Sequence, residues 1–185
     1  MTEETQFPEG LKERVAAAGG EFLPAQPDGI PTARVEAGAL LDLLGALKTG
    51  PGLRYEMLTD VFGIDEYPQT PRFDLVYHLR ALSTGEMVRI RAFAQGDDHK
   101  IPSVVGLFGT ADWHEREAYD MMGIDFTGHP DLKRILMPLE YEHHPLRKDF
   151  PLEGIEPEKL FKKRFPGESS GSMHQKPQRK GQGGS

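Results

Sequence analysis

Cysteine is absent from the 185 residues of this chain. Without thiolates it forms no disulfides, no cysteine-ligated zinc site and no ordinary iron–sulfur cluster, and it has no thiol nucleophile. Glycine-rich nucleotide-binding patterns are missing as well, since neither G-x-G-x-x-G after a strand nor a phosphate-binding loop occurs. We therefore expect any redox chemistry to take place in other chains.

Long apolar runs are also lacking, which argues against a membrane span. Hydrophobic residues make up 37% of the chain and charged residues 28%, an ordinary composition for a globular protein. The first residues, MTEETQFPEG, are acidic and polar, unlike a signal peptide. These features predict a cytoplasmic chain with one domain and a tail.

Positive charge is scarce outside the C-terminal end. The formal net charge is −7, although residues 166–185 are basic, so the remainder is more acidic still. An acidic domain repels phosphates, which argues against nucleic acid as the main partner. The stretch 166–185 has low complexity and is predicted to be a disordered, solvated tail.

Hydrophobic periodicity predicts both helices and strands. In GALLDLLGALK four leucines recur at helical spacing, whereas RFDLVYHLRAL and EMVRIRAFA alternate as the two strands of a hairpin. The charged side of that hairpin is expected to be a solvated face, with a contact surface as the alternative. The predicted elements are helices at 8–18, 38–48, 103–109 and 110–122 and strands at 32–37, within 53–64, at 72–82 and at 86–94.

These elements predict an α+β fold, a small mixed or antiparallel sheet with helices packed on it, followed by a long extended proline-rich C-terminal segment. Gly123 lacks a Cβ and suits a left-handed stop for the last helix. The expected organisation is an N-terminal helix and loop (1–29), the α+β domain (30–123), an extended partner-binding segment (124–165) and the disordered basic tail (166–185).

The last predicted helix contains WHEREAYDMMG, which is unusually rich in charge. On a helical wheel Glu115 and Glu117 lie among apolar side chains, so if that side is buried both carboxylates need partners. Arg116 and Asp120 are four residues apart and are expected to pair. A solvated helix with an aromatic anchor is the alternative.

Histidines raise the question of a metal site. His114, His129 and His144 could form a three-histidine site, which makes a metal enzyme the rival hypothesis. The zinc-protease pattern fails, however, because Ala118 stands where its second histidine would be. His143 and His144 are adjacent in an extended segment and point to opposite sides, so hydrogen-bonded or exposed histidines are favoured. An acid/base pair is not excluded, but nothing marks which residues would form it.

Residues 124–157 combine twelve large apolar side chains with recurring prolines. Proline removes backbone donors and favours extended chain, so a helix is excluded there. Structureless stretches of such length are functional or disordered, and this one is too apolar for disorder. The pattern predicts an extended segment that contacts its own domain and a partner, which favours a binding module over an enzyme.

ADWHEREAYDMMGIDFTGHPDLKRILMP followed by HPLRKDFPL resembles the C-type subunit of bacterial proton-pumping NADH:quinone oxidoreductase, the 30 kDa-type subunit of respiratory complex I. GIDEYP and RFDLVYHLRAL are also similar, so the resemblance covers roughly residues 30–155. Tyr141 and His143 stand where the family usually has Trp and Gly. The matching motif residues are Glu115, Arg116, Glu117, Tyr119, Asp120, Gly123, His129, Pro130, Leu132, Arg134, His144, Pro145, Leu146, Arg147, Lys148 and Asp149.

The resemblance implies a non-catalytic peripheral-arm subunit at the cytoplasmic side of the cell membrane. It would carry no cofactor, with iron–sulfur clusters, FMN and quinone held by other subunits. Its expected partners are the quinone-reactive large subunit (the D type) and the subunit with the terminal iron–sulfur cluster (the B type). Equivalent subunits occur in membrane-bound hydrogenase-type complexes, which leaves the electron donor open.

Two more expectations concern individual charges in the motif. Glu115 and Glu117 would accept hydrogen bonds from Arg134 or Arg147, and Lys148 and Asp149 would face the large subunit.

Overall fold

The alternating strands assemble a mixed sheet in the computed structural model, which describes residues 10–24 and 26–155. The compact unit formed by the elements ends at Gly154. In chain order they are α1 (Leu11–Ala17), β1 (Glu21–Phe22), β2 (Thr32–Arg34), a 3-10 turn (Ala37–Ala39), α2 (Leu40–Thr49), β3 (Met57–Asp65), β4 (Phe73–Arg80), β5 (Met87–Phe93), β6 (Lys100–Pro102), α3 (Ala111–Met122) and β7 (Asp125–Thr127).

The main sheet has the strand order β1-β2-β5-β4-β3. Its neighbours are antiparallel except for β2 and β5, which run parallel with Ala33 opposite Ile90. The hairpin of β4 and β5 forms as predicted, with Tyr77 opposite Ile90. The predicted α+β class with a mixed sheet is thereby confirmed.

The hydrophobic core lies on one face of this sheet. Alternate residues of β4, including Leu75, Tyr77 and Leu79, are fully buried and share one cluster with the four periodic leucines of α2. Burial of each such side chain contributes on the order of 1.5–3 kcal/mol, so this cluster is the main source of stability.

The opposite face of β4 and β5 differs from the solvated face that was expected. Asp74 is fully buried and accepts hydrogen bonds from Arg91, at 2.8 Å for its Nε, and from Arg34 at 3.4 Å. His78 accepts a hydrogen bond from Arg89 at 2.7 Å. The charges of this face therefore pair with one another.

The predicted helix at 103–109 is wrong. Strand β6 and a turn occupy this region, and the Ser103 amide donates to the Thr127 carbonyl at 2.9 Å. Strand β6 pairs in parallel with β7, which lies inside the segment that was expected to be irregular. Strands of three residues show no readable period, so a neighbouring segment decides their structure.

Helix α3 ends as predicted, at Gly123 with a left-handed φ of 73°. Helix α1 begins at Leu11, and the predicted start at Pro8 and the predicted tail at 166–185 lie outside the described residues. Across the described residues, every helix is too short or too polar to cross a membrane.

Candidate functional site

Asp120 is the centre of the motif residues and is fully buried on α3. Its Oδ2 accepts hydrogen bonds from three successive backbone amides, those of Ile135, Leu136 and Met137, at 2.9, 2.7 and 2.8 Å. Its Oδ1 accepts one from Arg134 at 2.5 Å. A single carboxylate thus holds four donors of the segment that follows β7.

The hydrogen bonds also determine the charge state of Asp120. Burial by itself would raise the pKa of this carboxyl, but the amides of Met137 and Leu136 and the Arg134 guanidinium outweigh burial, and the pKa is lowered. Arg134, whose side chain is 9% exposed, donates in addition to the Asp120 carbonyl at 3.2 Å. The pair is therefore ionised and well enclosed.

Arg134, rather than Arg116, is the partner of Asp120, so the expected pair within α3 is wrong. Arg116 Nε instead donates to the Lys133 carbonyl at 3.1 Å, and its Nη1 lies 4.0 Å from Asp112. Both contacts lead away from the side of α3 that carries Asp120. Local spacing suggested a partner, but a residue fourteen positions later along the chain takes its place.

Glu115 is fully buried, but neither Arg134 nor Arg147 reaches it, so the expected partners are wrong. Its carboxylate accepts hydrogen bonds from the Ser103 hydroxyl at 2.6 Å and the Val104 amide at 2.7 Å. Burial raises its pKa more than these bonds lower it. Glu115 thereby fixes the turn that replaced the predicted helix.

Glu117 is exposed, which contradicts its expected place among buried apolar groups. The wheel grouped both glutamates correctly on opposite flanks of an apolar arc, but only the flank of Glu115 faces β6 and the turn. Pattern alone does not show which flank another segment covers.

Gly123 and the stretch from His144 to Arg147 together close the C-terminal end of α3. His144 Nδ1 donates to the Asp120 carbonyl at 2.9 Å, the Leu146 amide to Met121 at 3.0 Å and Arg147 Nε to Met122 at 2.6 Å. The last carbonyls of a helix have no partner within it, so this stretch acts as the helix cap.

The close approach requires a residue without a side chain at position 123. A Cβ on Gly123 would lie 2.6 Å from the His144 ring and would also collide with Arg147. The His144 ring also meets the Tyr119 ring edge-on, with 6.3 Å between centroids. Burial lowers the pKa of His144 despite its bond to Asp120, and the carbonyl partner requires a proton on Nδ1.

Asp65 and Arg72 fix the end of the same motif and were missed by the sequence reasoning. Asp65 accepts from the Lys148 amide at 2.8 Å and from Arg72 Nη2 at 2.8 Å, and Arg72 also binds Asp149 at 2.6 Å. The acid and the arginine flank the loop between β3 and β4, a signal that a search for charged pairs around GIDEYP could have found.

The Asp65 carboxylate is strongly acidic. Burial would raise its pKa, but the hydrogen bonds from Arg72 and from the amides of Lys148 and Tyr67 lower the pKa to about 2. Asp149, expected to face a partner, has its carboxylate bound by Arg72 while 46% of its side chain stays exposed. The Lys148 side chain is exposed and has no ion-pair partner among residues 10–24 and 26–155.

The three histidines of the metal hypothesis have separate partners. His114 Nδ1 lies 3.2 Å from Asp60, whereas the buried His129 ring contacts Asp112 and accepts from the Asp131 amide at 3.0 Å. His144 binds α3 as described. In the part of the chain that the structure describes, no group of three or more His, Asp or Glu residues could hold a metal ion.

The outer side of the segment after α3 is apolar. Tyr141 is buried, but several other large side chains project into solvent, among them Leu139 at 72% exposure. Pro130 is exposed, whereas Pro145 and Leu132 are half-buried. The exposed apolar side chains after residue 130 include those of Leu136, Leu139, Leu146 and Leu152. The arrangement offers a contact surface on rigid chain.

Residues 33–156 match the family model described as respiratory-chain NADH dehydrogenase, 30 Kd subunit. The second of the C-type NADH-quinone oxidoreductase subunits of Rhizobium meliloti (strain 1021) is 47% identical over 145 residues, which cover 78% of this chain and 74% of the relative.

Two solved structures are similar. A trypsin-resistant fragment (1-134) of Nqo5 has a TM-score of 0.59 at 29% identity, covering 67% of this chain and 98% of the fragment. A chain of an archaeal membrane-bound sulfane sulfur reductase has a TM-score of 0.63, covering 89% of this chain and 94% of that one, and at 22% identity it shows the fold alone. The chain belongs to the 30 Kd subunit family of respiratory-chain NADH dehydrogenases, as a relative of the C-type subunits of NADH-quinone oxidoreductases.

Proposed function

We propose that this chain is a non-catalytic subunit of the peripheral arm of a NADH-quinone oxidoreductase. It supports assembly of the arm that passes electrons from NADH through FMN and iron–sulfur clusters to quinone, coupled to proton translocation. Its partners are the quinone-reactive large subunit and the subunit with the terminal iron–sulfur cluster. The chain is bound peripherally at the cytoplasmic side of the membrane.

The observation that carries the proposal is the inward use of the charged motif. Asp120 and Glu115 bind backbone amides, and Arg147 caps α3, so these groups hold a segment in place. The same segment presents Leu136 and Leu139 to solvent. Exposed apolar side chains on rigid chain suit a protein partner, because little conformational entropy is lost when they are buried there.

Cofactor placement on other chains is consistent with the composition. Iron–sulfur clusters are held by cysteine thiolates, and this chain has none. The relative from Rhizobium meliloti is named as a subunit of an NADH-quinone oxidoreductase, so the same complex is the natural setting for this chain.

The test replaces the apolar surface without touching the core. Leu136→Asp combined with Leu139→Asp is expected to reduce co-purification of the other subunits and membrane NADH:quinone activity, because charges enter the contact. The thermal midpoint of the isolated chain should stay unchanged, since both leucines are exposed. Leu82→Asp is the matched control, because Leu82 is similarly exposed at 66% but lies in the turn after β4.

Normal assembly of the double variant would contradict this placement of the partner surface. The identity of the co-purifying subunits separates the proposal from its alternative: subunits of a membrane-bound hydrogenase-type complex, in place of an NADH-oxidising module, would assign the chain to that relative.

A further inference from the structure

A groove follows the free edge of the main sheet. Strand β3 is last in the strand order and pairs only with β4. Between β3 and α3 lies a cavity of about 260 Å³, smaller than the roughly 300–1,000 Å³ of small-molecule sites. It is lined by Asp60, Val61, Phe62, Gly63, Glu117, Ala118, Met121, Met122 and Leu146.

Four consecutive residues of β3, 60–63, line this groove. Successive side chains of a strand point to opposite faces, so a cavity that touches all four runs along the backbone edge. Half of the backbone N–H and C=O groups of an antiparallel edge strand point away from its partner. In the described chain no other element hydrogen-bonds to the backbone of 60–63, whereas the Thr110 hydroxyl covers the Leu58 carbonyl at 3.2 Å.

The walls of the groove combine adaptable apolar groups with acids. Met121 and Leu146 form the apolar side, and methionine accommodates side chains of varied shape. Phe62 is 37% exposed at the rim. Glu117 has no cationic partner within the described residues, and Asp60 pairs only with the partly exposed His114. The groove is thus complementary to an apolar side chain beside a lysine or arginine.

We propose that this groove binds an extended segment of another subunit, which pairs with β3 as an added strand. An apolar side chain of the segment fills the space between Met121 and Leu146, and an adjacent lysine or arginine binds Asp60 and Glu117. Strand addition provides affinity through backbone hydrogen bonds, and the side-chain pocket provides specificity. This inference rests on the proposed function, because the assembled complex supplies the segment.

Photo-crosslinking in the intact complex tests the occupant. Benzoylphenylalanine at Phe62 is expected to crosslink to a peptide of another subunit that carries lysine or arginine next to an apolar residue. The same probe at Leu82, on the exposed turn after β4, is the control and should not capture that peptide. Glu117→Lys should reduce the yield about tenfold, because a like charge then faces the basic residue. Asp42→Lys, on the exposed side of α2, should leave the yield unchanged.

Hydrogen exchange tests the strand pairing itself. The amides of residues 60–63 that point away from β4 should exchange more slowly in the complex than in the isolated chain. If the chain co-purifies with the other subunits but these amides are unprotected, or Phe62 captures no such peptide, the inference is overturned and the proposed function stands. If no subunits co-purify, both are overturned.

Discussion

Asp120→Asn should destabilise the protein strongly, although the new side chain has the same size. An asparagine oxygen can still accept from the amides of Ile135, Leu136 and Met137, which bind one oxygen of the carboxylate. Its NH₂ group would then point at the Arg134 guanidinium, which binds the other oxygen in the native protein. Two donors would face each other in a largely buried place.

The expected loss follows from these contacts. Hydrogen bonds to a charged group contribute about 1.5–3 kcal/mol each, and removal of one member of a buried ion pair costs about 3–5 kcal/mol. Because the amide bonds are weakened but kept, the Arg134 pair dominates, and we expect a loss of about 3–5 kcal/mol. For a domain of this size that corresponds to roughly 6–20 °C in the thermal midpoint.

Denaturant unfolding of Asp120→Asn measures this loss, and hydrogen exchange locates it at residues 135–137. Asp131→Asn is the matched control, because Asp131 is exposed and its ion pair is with the equally exposed Lys133. Equal free energies of unfolding for the two variants, or unchanged protection of the amides at 135–137, would refute the role assigned to Asp120.

Three further predictions concern other contacts of the motif. The pKa of Asp65 falls from 3.8 in the unfolded chain to about 2 in the folded one, so its stabilisation is complete above 3.8 and is lost as pH falls towards 2. Asp65→Asn should remove about 2 kcal/mol of acid sensitivity from that window in pH-dependent unfolding, and an unchanged pH profile would contradict the shift. Glu115→Gln should be tolerated at pH 7, because an amide can serve both Ser103 and Val104, whereas Glu115→Ala should cost about 2–4 kcal/mol in denaturant unfolding; equal losses would contradict the paired roles. Gly123→Ala should destabilise more than Gly128→Ala by thermal melting, since both have positive φ but only Gly123 lies against His144; equal shifts would show that φ alone matters.

The sequence was most informative where structure is local. The leucines of α2, the hairpin of β4 and β5 and the stop at Gly123 all follow from periodicity or from one residue's conformational freedom. Those signals depend on neighbours within a few positions, so a single sequence is enough to read them.

Contacts between distant segments were the part that sequence reasoning could not assign. Asp120 was expected to pair with Arg116 on the next turn, but three backbone amides and Arg134 are better partners for a buried carboxylate. The same limit applies to Glu115, whose partners are set by where the β6 strand lies. Family motifs identified which residues matter, but not which atoms they bind.

The contact between Asp65 and the Lys148 amide joins positions 83 residues apart, and it sets an order of events during synthesis. The strands from β3 to β5 have all their pairing partners early, whereas the cap on α3 and the clamp at Asp65 must wait for residues 144–149 to leave the ribosome. Closure of so long a loop is slow relative to hairpin formation. Nascent chains should therefore carry a formed sheet with an open α3 end, and chaperone protection is needed most during that interval.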